Sequence, residues 1–533
     1  MKKLRKNDPR RLRLQKYAPL AVTAFAAFTL FTSLFRPFWF DEVLTVSLVK
    51  YFSPSGGPVA IYQAYDIPNN HIVFSLILSF WLRFLEWGSE IQPLFLYRIP
   101  TAAAALLSIF LLIRLLRRKF GTVSMLLTLS PFCVSASFAV FGTALRGYMT
   151  GFLLTILAFL AAEKWMRRNS LPALLLYFLS SLLAVGTAPT CLAALTGTAL
   201  MFSSRLAVRK DRGYEVWKWA VLLVTPPLSL AAFYLPILPK FLHCAGLGEG
   251  WFSAENAIWN LYLSFALCVL PALPFAAAGF VTAWRKHPVL RLRILSAGLV
   301  FLLPLPAFFV FKVPVFPRVF FPLFPLWLFW TAFGLSFFCR GILFRTREKA
   351  QGKNRRPQAE GGKEEEKRRY SIGLYSYRAV MLTCLLPAAL TIAWMFLSIH
   401  GSAAVSNAVF GDPRQDDLYY PHYARMEDFR PDETAAWLGK QAREGRRFLA
   451  FVSFQADPHA TKFYAMFEEG LSSESILFDL PNREKIPFLP RIGTIYLICS
   501  GEQDLNETLE RFGFRKAVPV YTTVLQQIYE VVE

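Results

Sequence analysis

The sequence has no Gly-rich loop of the kind that binds nucleotides, and it is poor in cysteine and in acidic residues. Its seven cysteines are scattered, and none stands in a Cys-x-x-Cys or Cys/His spacing, so no zinc or dithiol site is indicated. Most of them lie in apolar runs, where a thiol acts as a small hydrophobe, and we expect no structural disulfide. No internal repeat is present, which disfavours a transporter built from repeated halves.

Apolar side chains dominate what is present. Of 533 residues, 55% are hydrophobic and 16% are aromatic, which exceeds the usage of soluble globular proteins. Many apolar runs reach the roughly 20 residues that span a bilayer. The net charge of +22 is concentrated in Lys and Arg between these runs. That distribution is typical of a polytopic membrane protein whose basic loops face the cytoplasm and contact membrane lipids, rather than of a nucleic-acid-binding protein.

The charge pattern also predicts the topology. Residues 1–16 form a basic cytoplasmic tail, and no cleavage site follows the first apolar run, so this run is an uncleaved anchor. If residues 71–87 crossed the membrane, the basic stretch 114–120 and every later basic loop would lie outside. We therefore predict that residues 71–87 lie in the membrane interface. The result is about eleven transmembrane helices, with an outer first loop over residues 36–93 and an outer C-terminus.

The chain divides into a helical membrane part and a different C-terminal part. Residues 17–339 are predicted to form an all-α polytopic domain, and residues 376–399 the last transmembrane helix. Between them, residues 340–375 are poor in apolar residues and mixed in charge, which predicts a disordered cytoplasmic linker. Residues 400–533 contain short apolar runs that alternate with helical patterns. They are predicted to form a small extracytoplasmic α/β domain.

An acidic pair, Asp41 and Glu42, directly follows the first predicted span. Ionisable residues at a membrane are costly, and they indicate function. The predicted topology places further polar residues on the same outer face: Arg36, Tyr65, Asp66, Asn69, Asn70, His71, Arg98, Arg146, Tyr148, Lys312 and Arg318. Arginine presents a planar fork for phosphate oxygens, and a carboxylate can accept the proton of an attacking hydroxyl. The set therefore fits a ligand with a phosphate, and a hydroxyl that is to be activated.

Each of these residues also has a simpler interpretation. An arginine at the end of a span can extend to lipid headgroups, although outer arginines such as Arg98 and Arg146 run against the positive-inside pattern. The acidic pair can stabilise the start of the helix that follows it. His71 can cap a helix or ligate a metal, and Tyr148 can be an ordinary interfacial aromatic residue.

Five stretches, in this order, resemble motifs of the GT-C superfamily of membrane glycosyltransferases. The resemblance is to the branch that contains protein O-mannosyltransferases and aminoarabinose transferases, and it covers about residues 15–330. FWFDEVLT resembles the acidic motif of the first loop, and DIPNNHIVFSLILSFW resembles the His-Pro-Pro-Leu segment, with Ile72 and Val73 in place of the two prolines. The other stretches are LYRIPTAAAALLSIFLLIRLLRRKFG, SPFCVSASFAVFGTALRGYMTGFLLT and VFPRVFFPLFPLW.

This resemblance implies a GT-C fold and sugar transfer from a polyprenyl-phosphate-linked donor to an extracytoplasmic protein, lipid or polysaccharide acceptor. By the same resemblance, Asp41 is the catalytic base or positions the acceptor, and Glu42 supports it. Glu42 and His71 are candidate ligands for a divalent cation. The residues implied in binding the donor and its lipid phosphate are Arg98, Arg146, Tyr148, Arg318 and His71. Two other classes are a transporter or flippase of lipid-linked glycans and a non-catalytic scaffold, but neither explains acid and arginine gathered at one face.

Overall fold

The computed structural model describes residues 9–35, 38, 40–63, 71–86, 93–206, 212–249, 257–309, 317–352, 430–453, 456, 458–467, 469–472, 475–477, 493–523 and 526–532. Several predictions therefore lie outside the described residues. They concern the last span at 376–399, the linker beyond residue 352, and the side chains of Arg36, Tyr65, Asp66, Asn69, Asn70 and Lys312.

The membrane part is helical, as predicted. Its first half contains α1 (Pro9–Leu34), α2 (Phe40–Gln63), α3 (Ile72–Glu86), α4 (Leu94–Tyr97), α5 (Ile99–Phe120), α6 (Thr122–Cys133), α7 (Ala136–Thr143), α8 (Tyr148–Arg168) and α9 (Leu171–Thr187). Its second half contains α10 (Cys191–Leu206), α11 (Arg212–Tyr234), α12 (Leu238–Glu249), α13 (Ala257–Val269), α14 (Leu273–Lys286), α15 (Pro288–Leu302), α16 (Pro304–Phe309), α17 (Pro317–Phe320) and α18 (Phe324–Gly352).

Helix length and composition support a multi-pass membrane protein. In the described part of the chain, five helical stretches are long and apolar enough to cross a membrane, and seven if two bent pairs each count as one span. The first bent pair joins α6 to α7 at an angle of 71°. Helices α9 and α10 are apolar but shorter, with 17 and 16 residues. The number of eleven spans thus stays a prediction.

The break between α6 and α7 lies shortly before two of the predicted site residues, Arg146 and Tyr148, in the chain. Pro131 lies inside α6, where it removes a backbone donor and favours a kink. Ser135 then caps α7, and its Oγ accepts a hydrogen bond of 3.2 Å from the Phe138 amide. The chain turns again after Thr143, so that Arg146 and Tyr148 stand at the start of α8.

The opposite end of the bundle is basic. Helices α5 and α8 both start near Arg98 and Arg146 and run to this end, where the buried Glu163 pairs with three cations. The Glu163 carboxylate lies 3.0 Å from Arg118 Nη2 and 2.8 Å from Arg167 Nη2, and it also pairs with Lys119 Nζ. One end therefore carries the predicted outer residues and the other a cluster of basic residues, as the positive-inside pattern requires.

The described part of the predicted first outer loop, called the first outer loop below, is mostly helical. Helix α2 is broken at Gly57, whose φ of 62° is left-handed, and this break lies within the sequence SPSGGP. Helix α3 has 15 residues and buries Phe74, Leu78 and Leu82 in the core that it shares with α2. Its exposed face carries Ile77, Phe80 and Phe84. An apolar exposed face on a short helix fits the predicted position in the membrane interface.

The C-terminal part is the predicted α/β domain. It contains β1 (Phe448–Val452), β2 (Ile476–Leu477), β3 (Thr494–Cys499), β4 (Ala517–Thr522) and β5 (Gln527–Val531), with α19 (Pro431–Arg443), α20 (Pro458–Phe467) and α21 (Glu502–Phe512). The strand order is β2-β1-β3-β5-β4. Strand β1 is parallel to β2 and β3, whereas β5 is antiparallel to β3 and β4. Parallel strands joined through helices are what the alternating pattern predicted.

This domain packs directly on the first outer loop. Val43 and Val46 of α2 belong to the same buried core as Ala460, Phe463 and Tyr464 of α20. The core continues into β1 and β3. The C-terminal domain and α2 therefore lie at the same end of the helical bundle.

One boundary differs from the prediction. Helix α18 continues to Gly352, so residues 340–352 are helical, although the sequence analysis assigned them to a disordered linker. The sequence FFCRGILFRTREKAQG has no Pro, and its residues are mostly helix formers, which favours continuation of the helix.

Candidate functional site

Glu42 forms a buried ion pair with Arg98. The Arg98 Nε donates to Glu42 Oε1 at 3.2 Å and Nη2 donates to Oε2 at 2.6 Å, which makes the pair bidentate. The Leu145 amide donates to the same Oε1 at 2.7 Å. Both Arg98 and Glu42 are 0% exposed. The pair therefore ties the start of α2 to the start of α5 and to the turn before α8.

The rest of the Arg98 guanidinium is also engaged within the protein. Its Nη1 donates to the Leu34 carbonyl at 3.1 Å, where α1 ends and carbonyl groups lack helical partners. The guanidinium carbon lies 5.2 Å from the centre of the Phe38 ring, in a cation–π contact. Arg98 was predicted to bind the lipid phosphate, but burial and these contacts make it a structural residue that holds four segments together.

Asp41 lies beside Arg146 on the open side of α2. The Arg146 Nη2 is 3.7 Å from Asp41 Oδ2, and Nη1 donates to the Asp41 carbonyl at 3.3 Å and to the Thr45 hydroxyl at 3.0 Å. The Asp41 side chain is 15% exposed, whereas that of Glu42 is fully buried. The two adjacent carboxylates therefore occupy different environments, and Asp41 is the one that a ligand can approach.

His71 and Tyr148 form the next layer of the site. Their rings meet edge to face with centroids 4.7 Å apart, and both are buried. The His71 Nδ1 lies 2.8 Å from the Thr187 carbonyl, which can only accept a hydrogen bond. Nδ1 is therefore the protonated nitrogen, and Nε2 is left as an acceptor. Among the described residues, Nε2 has no hydrogen-bond partner.

Gly147 permits this close packing. A Cβ at this position would lie 2.4 Å from Thr187 Cγ2 and 2.9 Å from His71 Nδ1. These distances are too short for a side chain, so only glycine lets α8 approach His71 and Thr187. Neither Gly147 nor Thr187 was among the predicted site residues, although the glycine in Arg-Gly-Tyr is a signal of close backbone approach.

Arg318 is the last of the predicted site residues along the chain. It lies on α17, and its neighbour Val319 accepts a hydrogen bond of 2.8 Å from the Thr190 hydroxyl. His71 precedes α3 in the outer loop, and burial lowers its pKa well below 6.5, helped by the positive charges of Arg146 and Arg318. Both guanidinium groups are thus close enough to His71 to act on its ring electrostatically. His71 stays neutral at neutral pH.

The structure thus brings all seven predicted residues to one end of the bundle, in two groups. Glu42 and Arg98 form the closed group. Asp41, His71, Arg146, Tyr148 and Arg318 form the second group, which we call the open group because it contains the two partly exposed residues, Asp41 and Arg318. Sequence reasoning missed the residues that support these groups: Thr45, Gly147, Thr187 and Leu145.

A metal site formed by Glu42 and His71 does not fit this arrangement. Both Glu42 oxygens accept hydrogen bonds from Arg98 or Leu145, and the His71 Nδ1 is directed to Thr187. The described residues also contain no group of three or more His, Cys, Asp or Glu that could hold a metal ion. Glu42, a candidate ligand, instead accepts three hydrogen bonds through its carboxylate, two from Arg98 and one from Leu145.

The helical bundle with its small C-terminal sheet domain matches the GT-C fold. The chain is similar to the crystal structure of ArnT, an aminoarabinose transferase from Cupriavidus metallidurans, in the apo state. The TM-score is 0.54 at 14% identity, over 96% of this chain and 97% of ArnT. ArnT bound to undecaprenyl phosphate matches with a TM-score of 0.53 at 15% identity, over the same shares of both chains. No family model and no curated protein matches the sequence.

Proposed function

We propose that this protein is a membrane glycosyltransferase that moves a sugar from a polyprenyl-phosphate-linked donor to an extracytoplasmic acceptor. The observation that carries the proposal is the open group, in which Asp41 lies 3.7 Å from Arg146 beside His71 and Tyr148. Support also comes from the shared fold with ArnT, whose structure was solved with undecaprenyl phosphate bound. A lipid-linked donor needs no Gly-rich nucleotide loop, and the sequence has none.

The charges of the open group suit a phosphate. Glu42 and Arg98 neutralise each other in the closed group, which leaves Arg146 and Arg318 against the single carboxylate of Asp41. This excess of positive charge favours an anionic ligand, and guanidinium groups bind phosphate oxygens with two parallel hydrogen bonds. The neutral His71 adds an acceptor nitrogen, which can take a hydrogen bond from a hydroxyl of the donor sugar.

The reaction needs one base and stabilisation of one leaving group. Asp41 accepts the proton of the acceptor hydroxyl, or orients that hydroxyl, while its oxygen attacks the anomeric carbon of the sugar. The bond between this carbon and the phosphate oxygen breaks, and the polyprenyl phosphate leaves with the bonding electrons. Arg146 and Arg318 stabilise the negative charge that grows on the phosphate. A single displacement of this kind inverts the anomeric centre.

The proposed location is the cytoplasmic membrane, with the N-terminus in the cytoplasm. The basic end around Glu163 then faces the cytoplasm, and the site and the C-terminal domain face outward, as the positive-inside pattern favours. The C-terminal domain packs on α2 beside Asp41. This position supports a role in acceptor recognition.

The test is the Asp41→Asn variant of the full chain, reconstituted with a panel of undecaprenyl-phosphate sugars. We expect turnover to fall by about 100-fold or more, because general-base catalysis contributes at least that factor. Asp432→Asn, which changes a half-exposed acid of α19, is the matched control and should keep wild-type turnover. Full activity in Asp41→Asn contradicts the role of Asp41. Movement of the lipid across the bilayer without any glycosylated product favours a flippase instead.

A further inference from the structure

We propose that the C-terminal domain positions the first turn of α2, and with it Asp41, through Tyr464. This inference rests on the proposed function, because it assigns a positioning residue for the same reaction. Tyr464 lies on α20 and is 0% exposed. It is remote from Asp41 in sequence, and its influence would pass through Phe38 and Arg98.

The first link is a hydrogen bond at the break between two helices. Helix α1 ends at Leu34 and α2 begins at Phe40, so the Phe38 amide has no helical acceptor. The Phe38 N–H donates to the Tyr464 hydroxyl at 2.5 Å, and Phe38 is fully buried. A buried amide without an acceptor is strongly unfavourable. The hydroxyl of Tyr464 therefore fixes the backbone three residues before Asp41.

The second link is the Phe38 ring. It lies between the two domains, with its centroid 5.8 Å from that of Phe463 on α20 and 5.7 Å from that of Tyr97 on α4. The guanidinium of Arg98 lies over the same ring, and it donates two hydrogen bonds to Glu42. A shift of Phe38 would therefore move a group that holds the residue next to Asp41.

The third link is α2 itself, because one of its faces contacts Arg146 and another packs against the C-terminal domain. Asp41 and Thr45, one helical turn apart, are both bound by Arg146. Val43, Val46 and Val49 point into the core shared with α20. Helix α2 thus lies between the C-terminal domain and the open group, so the position of the domain determines where Asp41 stands.

The experiment compares Tyr464→Phe with Tyr521→Phe in the full-length protein. Tyr521 lies on the edge strand β4, with its ring stacked on Trp437, and serves as the matched control. Tyr464→Phe keeps the ring and removes only the hydroxyl. Loss of the acceptor is expected to speed hydrogen–deuterium exchange at Phe38 and residues 40–46 by about tenfold, with no change at the basic end of α5.

A kinetic readout separates positioning from general stability. With undecaprenyl-phosphate sugar as donor, Tyr464→Phe should lower kcat by about tenfold and leave the donor KM within about twofold, because a misplaced base slows the chemical step. Tyr521→Phe should change neither value. A merely structural role would reduce the amount of folded protein without changing kcat of the folded fraction, and that result would overturn the inference.

A second variant and a second readout keep the two proposals distinguishable. Phe38→Leu keeps the backbone amide and removes the ring beneath Arg98, and it should lower kcat in the same way if Tyr464→Phe does not fold. If the wild type transfers no sugar, the proposed function is wrong. The exchange measurement then tests by itself whether the Tyr464 hydroxyl holds the Phe38 backbone. Unchanged exchange at residues 40–46 in Tyr464→Phe would refute the positioning role even in an active enzyme.

Discussion

The two adjacent carboxylates should respond very differently to loss of charge. Glu42→Gln would keep an acceptor for the Leu145 amide, but it would place an amide N–H₂ group against the guanidinium of Arg98. The Arg98 side chain, 1% exposed, would then carry a buried charge without its carboxylate. Breaking a buried ion pair in this way costs about 3–5 kcal/mol. Asp41→Asn alters a partly exposed contact of 3.7 Å, and it should cost about 1 kcal/mol or less.

The assay is the apparent Tm of the purified full-length protein in detergent, measured for both variants and for Glu42→Gln combined with Arg98→Met. Glu42→Gln should melt several degrees below Asp41→Asn. The double variant should recover at least half of the loss, because removing both charges also removes the uncompensated one. If Glu42→Gln melts within a degree of Asp41→Asn, Glu42 and Arg98 do not form the closed group described above.

Three further predictions concern other parts of the structure. Gly147→Ala should lower the free energy of unfolding by about 1–3 kcal/mol, because its Cβ would lie 2.4 Å from Thr187 Cγ2. The control is Gly298→Ala, whose Cβ would meet nothing within 4 Å and which should leave Tm unchanged or raise it. The fold lowers the pKa of His71, so the unfolded chain takes up a proton first as the pH falls below 6.5. The free energy of unfolding should therefore drop by up to about 1.4 kcal/mol per pH unit in this range. Parallel profiles of Tm against pH for the wild type and His71→Gln would contradict this prediction. Burial raises the pKa of Cys499 to about 12, so maleimide at pH 8 should label it far more slowly in the folded than in the unfolded protein, as peptide mass spectrometry can measure.

Much of the fold was predictable because apolar length and basic clustering are local signals. The described residues of the membrane part are mostly helical, and the strands at 448–452 and 494–499 lie in the C-terminal part, where short apolar runs alternate with helical patterns. Mixed charge alone did not locate the end of α18, since a mixed-charge stretch suits both a linker and a solvated helix, and only the helix-forming residues of 340–352 favour the helix. The contact of α20 with α2 was hidden for another reason: it joins segments more than 400 residues apart.

That the site residues lie at one end of the bundle was predictable, but their contacts were not. Charge and topology selected Asp41, Glu42, Arg98, Arg146 and Arg318 because acid and outer arginine are both unusual at a membrane face. Adjacent residues on a helix point about 100° apart, so the Glu42 carboxylate is fully buried while the Asp41 side chain is partly exposed. Which of them is buried depends on where Arg98 and Leu145 stand. Sequence spacing carries no information about that.

The most direct test of the account is a structure of the full-length protein with undecaprenyl phosphate bound. The account predicts the phosphate within hydrogen-bonding distance of Arg146 or Arg318, with Asp41 facing the same cavity and Arg98 still paired with Glu42. A phosphate bound at the opposite end, among Arg118, Lys119 and Arg167, would contradict it.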